Sequence, residues 1–247
     1  MNWRYFIGKS LAILGNSILA SKMMPLIRFI PVGISYPYDI KRFSKDYQFE
    51  TIFDVGANIG QTSLFLSKHF PQAGICAFEP VHKTFNQLCT NTKIKNKIKP
   101  FNYAMGAQEE ELLISIRENS ELNTLVRDGS KNPVLEKTVE TVKVTTIDTF
   151  CQQQYIEKID LLKMDVQGFE LEVLKGAEFY LKNNLISFIY AEVSFENSNK
   201  ECQLFEDLYY YLNNNNFRLS GFYEVFRWGA DKRYFGFCNA LFVNCSL

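Results

Sequence analysis

Only two histidines, His69 and His82, occur in the 247 residues, and none of the six cysteines forms a C-x-x-C pair. That argues against a structural zinc site, and no metal ligand set is assigned. The cysteines are scattered through apolar segments of a mid-sized chain, which reads as reduced, buried thiols in a cytoplasmic protein. Neither sign of charge prevails. Lys plus Arg and Asp plus Glu each number 27, so no chain-wide field draws the protein to nucleic acid or anionic lipid. No apolar run reaches the roughly 18 residues that span a bilayer. The longest approach, Leu11 to Ala20, is broken by Gly15 and Asn16 and flanked by Arg4, Lys9, Lys22 and Arg28. It reads as a surface helix, with membrane contact through residues 1–30 as the lesser alternative. Internal repeats and low-complexity tails are absent.

What the chain does have is apolar bulk. Hydrophobic residues make up 47%, with 22 Phe and 13 Tyr. Residues 1–48, cut by Pro25, Pro31 and Pro37, read as a helical accessory segment, and 49–247 as the main domain. From Thr51 a regular alternation begins. Thr51–Val55, Gly74–Phe78 and Ile98–Tyr103 read as short buried strands. Between them lie helices burying Leu64, Phe65 and Phe70, then Phe85 and Leu88. Close strand–helix alternation predicts βαβ units and a parallel sheet with right-handed crossovers. Leu112–Ile116 and Val139–Val144 read as a strand pair around a long polar loop, a lid or cleft wall. The alternation resumes at Ile159–Met164. A helical stripe of Phe169, Val173 and Ala177 follows, then a strand over Leu185–Val193 and a helix over 200–212. The chain closes on an antiparallel hairpin, Phe217–Phe226 and Tyr234–Val243, turning near Gly229.

The chemistry concentrates where strands end. Phe53-Asp-Val-Gly-Ala-Asn-Ile-Gly60 carries a strand through a glycine turn into a helix, placing main-chain N–H groups at the carboxyl edge of the sheet. Glu79 follows Gly60 by nineteen residues and ends the next strand, where a carboxylate can accept both hydroxyls of a ribose. A dinucleotide turn would have glycine where Asn58 stands. Asp54 is poorly placed beside a pyrophosphate and suits the cationic amino group of S-adenosylmethionine. A nicotinamide-dependent oxidoreductase is thereby disfavoured. Gly56 and Gly60 complete the turn. Asn102 and Ala104, at the end of the third strand, are placed to read an adenine edge. Asp165 ends the fourth parallel strand, and Glu192 lies near the end of the next. Asp165 either faces the cleft or ties down the turn before Gly168. Glu170 complements a helix dipole.

These segments together resemble the FkbM family of S-adenosylmethionine-dependent methyltransferases. The match runs through Phe53–Gly60, Phe78-Glu-Pro80, Asn102-Tyr-Ala-Met-Gly106, Thr146-Ile-Asp148 and Leu162-Lys-Met-Asp-Val-Gln-Gly-Phe-Glu-Leu-Glu-Val-Leu-Lys-Gly-Ala177, covering about residues 50–195. The resemblance implies a class I, Rossmann-like α/β fold: a seven-stranded, mostly parallel sheet with a C-terminal antiparallel hairpin and helices on both faces. It implies S-adenosylmethionine as cofactor and methyl transfer, usually to a hydroxyl of a glycan or natural product. Gln167 departs from the family, which commonly has Glu there. A sugar hydroxyl is weakly acidic, so a base is expected; Asp165 with Glu192 is the first choice and His82 a third candidate. Cofactor contacts are expected from Asp54, Gly56, Asn58, Gly60, Glu79, Asn102, Ala104 and Asp165. The acceptor is expected to be a saccharide or glycosylated metabolite. The alternatives are a polyketide, peptide or lipid acceptor, or a nucleoside-binding protein of this fold without turnover.

Overall fold

The computed structural model describes residues 31–116, 124–125, 139–196 and 202–247. The chain divides into two units, 1–47 and 48–247. The helix expected before residue 31 and most of the polar loop expected before Val139 lie outside the described residues. In the first unit, α1 (Tyr36–Phe43) starts with Pro37 in its first turn, where a missing N–H removes no helical bond.

In the second unit, β1 (Thr51–Val55), α2 (Gln61–His69), β2 (Gly74–Phe78), α3 (His82–Thr92) and β3 (Ile98–Phe101) alternate as the sequence predicts. A side sheet of β4 (Ala104–Met105), β5 (Glu110–Ser115), β6 (Thr124–Leu125) and β7 (Val139–Thr145) follows. Then come α4 (Ile147–Gln154), β8 (Ile159–Met164), α5 (Glu170–Lys175), α6 (Glu178–Lys182), β9 (Ile186–Ser194), α7 (Phe205–Asn214) and β10 (Phe217–Tyr223). A short pair, β11 (Arg227–Trp228) and β12 (Tyr234–Phe235), precedes β13 (Phe237–Asn244). The main sheet has seven strands in the order β10-β13-β9-β8-β1-β2-β3. Its central pairs are parallel, and β13 runs antiparallel between β9 and β10. The expected terminal hairpin is therefore present, with a second, smaller hairpin at its tip.

Two-sided burial explains why β8 and β9 read as nearly unbroken apolar runs. Period-two alternation sends Phe53, Val55, Leu162, Met164, Ile189 and Ala191 into one core, with Phe150, Leu174 and Leu208 from the helices. Asp54 and Lys163 have the opposite parity and face the other side. They are also register partners on adjacent strands, in a row that continues to Tyr190.

Three local expectations change. The buried residues of α2 are Ser63, Leu66 and His69, while Leu64 and Phe65 are half-buried. The helix is rotated because Ser63 bonds the Asp54 carboxylate below it. The Phe169–Ala177 stripe is two short helices, with Phe169 preceding the first. They break at Gly176, where a Cβ would collide with the Gly106 carbonyl oxygen. Thus the Ala-Met-Gly106 and Lys-Gly-Ala177 segments are one packing contact. Asp148 completes it by accepting the Phe179 and Tyr180 N–H groups at the start of α6. Finally, of the six cysteines, only Cys151 and Cys238 are buried; Cys245 is exposed and the others are intermediate, and all are free thiols. Among the described residues no helix is long and apolar enough to cross a membrane.

Candidate functional site

The carboxyl ends of β1, β2, β8 and β9 meet along one edge. There the β1–α2 turn is held by main chain: the N–H groups of Gly56 and Ala57 both donate to the Phe78 carbonyl at 3.1 and 2.9 Å. Gly56, Asn58 and Gly60 all take positive φ. Gly56 has a second constraint, because a Cβ there would collide with the Asp165 carbonyl oxygen. Only glycine lets this turn lie against the end of β8.

Glu79 lies just beyond β2 with 7% of its surface exposed. One carboxylate oxygen accepts the Asn58 N–H at 3.1 Å and the other the Val81 N–H at 2.9 Å. Burial pushes its pKa up to about 7, against the pull of those two bonds. Each oxygen keeps a lone pair, so the group can accept two further hydroxyls. That pair of acceptors fits the vicinal hydroxyls of a nucleoside. The Asn102 amide nitrogen donates to the Glu79 and Pro80 carbonyls at 2.9 and 2.8 Å, so it clamps the Glu79 loop. Ala104 packs in a small apolar cluster with Val81, Ile114, Val142 and Val144.

Below the edge runs a polar row. Asp54 is fully buried; Ser63 donates to it at 2.6 Å and the Lys163 ammonium lies 3.0 Å away. Asp54 is expected beside a cation, and in the fold the cation beside it is Lys163. Its charge is matched by Lys163, one layer beneath the turn. Burial works against the Lys163 charge, but Asp54 and then Asp165 outweigh it and hold the pKa above its ordinary value. Lys163 also donates to the Gly56 carbonyl at 3.3 Å and lies 3.8 Å from Asp165. One ammonium thus ties the first turn to the end of β8.

Asp165 is more open, its side chain 43% exposed. Its Oδ1 accepts the Gln167 amide at 3.2 Å. The turn after it is tied by another residue: Glu170, fully buried, accepts the Val166 N–H at 3.0 Å. Burial pushes Glu170 up to about 8. A tie on this turn is thus supplied by Glu170. Gln167, in left-handed backbone, supplies a donor where a glutamate would set a second negative charge beside Asp165.

Glu192 is half-buried, with a pKa raised to about 7 by burial first and then by the Asp165 charge; the Cys202 thiol, donating at 3.5 Å, and Lys163 offset part of this. Glu224, also with left-handed backbone, accepts from the Tyr190 hydroxyl at 3.0 Å and the Asn239 amide at 3.1 Å. Burial raises its pKa too. His82 begins α3 exposed, its main-chain N–H donating to Glu140. Among the described residues no cluster of His, Cys, Asp and Glu is arranged to hold a metal ion.

Sequence reasoning missed Lys163 as a site residue, although a signal was there. A lysine inside Leu-Leu-Lys-Met, a strand buried on both faces, must have a charged partner. Glu224 carried no such signal, because its place depends on the β10–β13 pairing.

The profile described as the methyltransferase FkbM domain matches residues 54–219. Methyltransferase sdnD of Sordaria araneosa is 30% identical over 155 residues, 51% of this chain and 60% of that protein. The hexuronic acid methyltransferase AglP of Haloferax volcanii is 27% identical, across 58% of this chain and 56% of that protein. The 2-O-methyltransferase NoeI of Sinorhizobium fredii is 28% identical, across 58% and 63%. The chain thus spans about 60% of the length of these relatives. Among solved structures, the METTL16 MTase domain superposes with a TM-score of 0.51 at 10% identity, over 91% of this chain and 70% of that one, a likeness of fold.

Proposed function

The chain belongs to the FkbM methyltransferase family, and from that premise we propose that it methylates a hydroxyl oxygen of a saccharide or glycosylated metabolite, with S-adenosylmethionine as donor. The observation that carries this is the half-open Asp165 carboxylate, beside a Glu192 with a pKa of about 7, on the same sheet edge as the Glu79 ribose-type site. Two relatives whose names specify a hexuronic acid and a 2-O position support an oxygen acceptor on a sugar.

When bound, the cofactor supplies a methyl group already made electrophilic by its sulfonium. The residues that would hold it are Glu79, the Gly56–Gly60 turn with Asn58, and the apolar wall around Ala104. Asn102 and Asp54 act behind these, the first by fixing the Glu79 loop and the second by anchoring Lys163. What remains for the protein is to orient a weakly acidic hydroxyl and take its proton. Asp165 is placed to accept that hydrogen bond. Lys163 and Gln167 fix its carboxylate, and Glu192 takes up charge beside it. Two neighbouring carboxylates, one half-protonated near neutral pH, can hold a released proton between them.

Calorimetric titration with S-adenosylhomocysteine, followed by methyl transfer to a panel of glycosides and nucleotide sugars, tests the reading. Binding with an affinity that Glu79→Ala lowers, and turnover on a sugar hydroxyl, is the expected result. No binding of S-adenosylhomocysteine by the folded protein would refute it.

A further inference from the structure

The excursion between β10 and β13 has a position that follows from register. β13 starts at Phe237 opposite Ser194, the last residue of β9, and Asn239 pairs with Glu192. β10 ends at Tyr223, opposite Asn239. Residues 224–236 therefore leave the sheet at its ligand edge, on the Glu192 side. They fold back as a hairpin of their own. Phe226 donates its N–H to the Phe237 carbonyl at 2.8 Å, Gly236 donates to Phe226 at 2.9 Å, and Trp228 pairs with Tyr234.

Two features of this hairpin bear on ligand binding. Trp228 and Tyr234 are 48% and 50% exposed, with ring centroids 5.0 Å apart and planes tilted by 42°, so a pair of neighbouring rings is open to solvent. Rings so exposed contribute little to the core, and open aromatic surface beside a cleft is a common sign of a ligand face. Around them stand three exposed cations against a single acid: Arg227 lies over the Phe235 ring, Lys232 over the Phe226 ring, and Arg233 3.7 Å from Asp231, which leaves two positive charges in excess. At the root of the hairpin the polarity reverses. Glu224 sits there, in the company of Glu192 and Asp165. The surface is thus carboxylate at the reaction end and aromatic-cationic at the far end.

We propose that residues 224–236 form the acceptor-binding element, and that the acceptor is a saccharide bearing an anionic group, a carboxylate or a phosphate. A sugar ring offers hydroxyls to Glu224 and an apolar C–H face to Trp228 and Tyr234. An anionic substituent is matched by Arg227 and Arg233, whose planar guanidinium groups suit carboxylate and phosphate alike. The inference rests on the methyl-transfer reading above and adds the class of sugar and the segment that selects it.

Trp228 is itself the reporter, since the only other tryptophan is Trp3. In the full-length Trp3→Phe protein, saturated with S-adenosylhomocysteine, indole emission is titrated with methyl glucuronoside, glucose 1-phosphate and methyl glucoside. A saturable change with one or both of the charged sugars is expected, and which of them binds identifies the anion. The neutral glucoside should bind roughly ten-fold or more weakly, as for loss of a charge pair. Combining Arg227→Ala with Arg233→Ala should weaken the charged sugar roughly ten-fold or more and leave S-adenosylhomocysteine affinity unchanged, because both side chains are exposed and off the cofactor side. Equal binding of charged and neutral sugars would overturn the proposal. So would unmoved Trp228 emission in a protein that still binds S-adenosylhomocysteine. Failure to bind S-adenosylhomocysteine at all would overturn the methyl-transfer reading, and this inference with it.

Discussion

On the Glu79 side of the sheet edge the site is shaped by main chain, and on the Asp165 side by side chains. Glu79 is fixed by two backbone N–H groups, and the turn beside it by bonds to the Phe78 carbonyl. Asp165 instead meets Lys163 and Gln167, Glu192 meets Cys202, and Glu224 meets Tyr190 and Asn239. A backbone-built site depends on turn geometry and changes little with side-chain identity. A side-chain-built site can be retuned one residue at a time.

Lys163 serves both sides, so its loss gives the largest expected effect. Lys163→Met leaves Asp54 buried without a counter-charge, its remaining contact the Ser63 hydroxyl, which should destabilise the fold by about 3–5 kcal/mol. Both ligand sites should weaken together. Chemical denaturation of the variant checks the first point, and S-adenosylhomocysteine titration the second. Pairing the change with Asp54→Asn should restore part of the stability, since the orphaned charge is then gone. A Lys163→Met protein of unchanged stability would mean that the two sides are independent.

Asp165→Asn separates the sides. It keeps the shape and the Gln167 contact but removes the charge and the basicity. The expected loss in kcat is on the order of 10²–10⁴-fold, with S-adenosylhomocysteine affinity within about two-fold of the original. Because Glu170 ties the turn, the melting temperature should stay close to that of the parent protein. A variant that loses stability and cofactor affinity in parallel would show that Asp165 shapes the site and does not act in it.

Glu79→Ala is the mirror experiment on the backbone-built side. Losing a charged acceptor for two hydroxyls should weaken S-adenosylhomocysteine by about 1.5–3 kcal/mol, read by calorimetry. The kcat at saturating cofactor should change much less. A large fall in kcat with unaltered binding would reverse the assignment of the two sides.

How far each side was legible in the sequence follows from the same division. Main-chain sites leave local marks. Gly56, Gly60 and the acid that follows could be read because a left-handed turn and a strand-end carboxylate are properties of adjacent residues. Strand ends were also local, so Thr51–Val55, Gly74–Phe78 and Ile159–Met164 could be placed from apolar runs bounded by turn residues. Side-chain sites are assembled across the sheet. The partnership of Asp54 with Lys163 depends on two strands distant in the chain falling into register, and that of Glu224 with Tyr190 on an antiparallel insertion. The rotation of α2 was hidden for a similar reason, since it is set by Ser63 reaching Asp54 rather than by the helix's own apolar residues. The turn tie of Glu170 was hidden as well, because its burial is tertiary.

The smallest expected effect is also the sharpest test of the division, because one pKa recurs on both sides. Glu79 and Glu192 are each raised to about 7, in both cases by burial first. At that value, against an ordinary 4.5, each is largely protonated at pH 6 and largely ionised at pH 8. The ionised form is the useful one in both places, as an acceptor of ribose hydroxyls on one side and as a support for the base on the other. Both sites should therefore improve as pH rises through about 7, by up to roughly ten-fold between pH 6 and 8. The readouts differ. Glu79 should appear in the pH dependence of S-adenosylhomocysteine affinity, and Glu192 in that of kcat at saturating ligands. Glu192→Gln should flatten the kcat profile near pH 7 while the affinity profile keeps its slope. Glu192 shares its titration with Asp165, so the kcat midpoint belongs to the pair and should fall if the Asp165 charge is removed in a variant that keeps measurable turnover. A single substitution that flattened both profiles would show that the two sides titrate as one unit, coupled through Lys163, and that the division between them does not extend to protons.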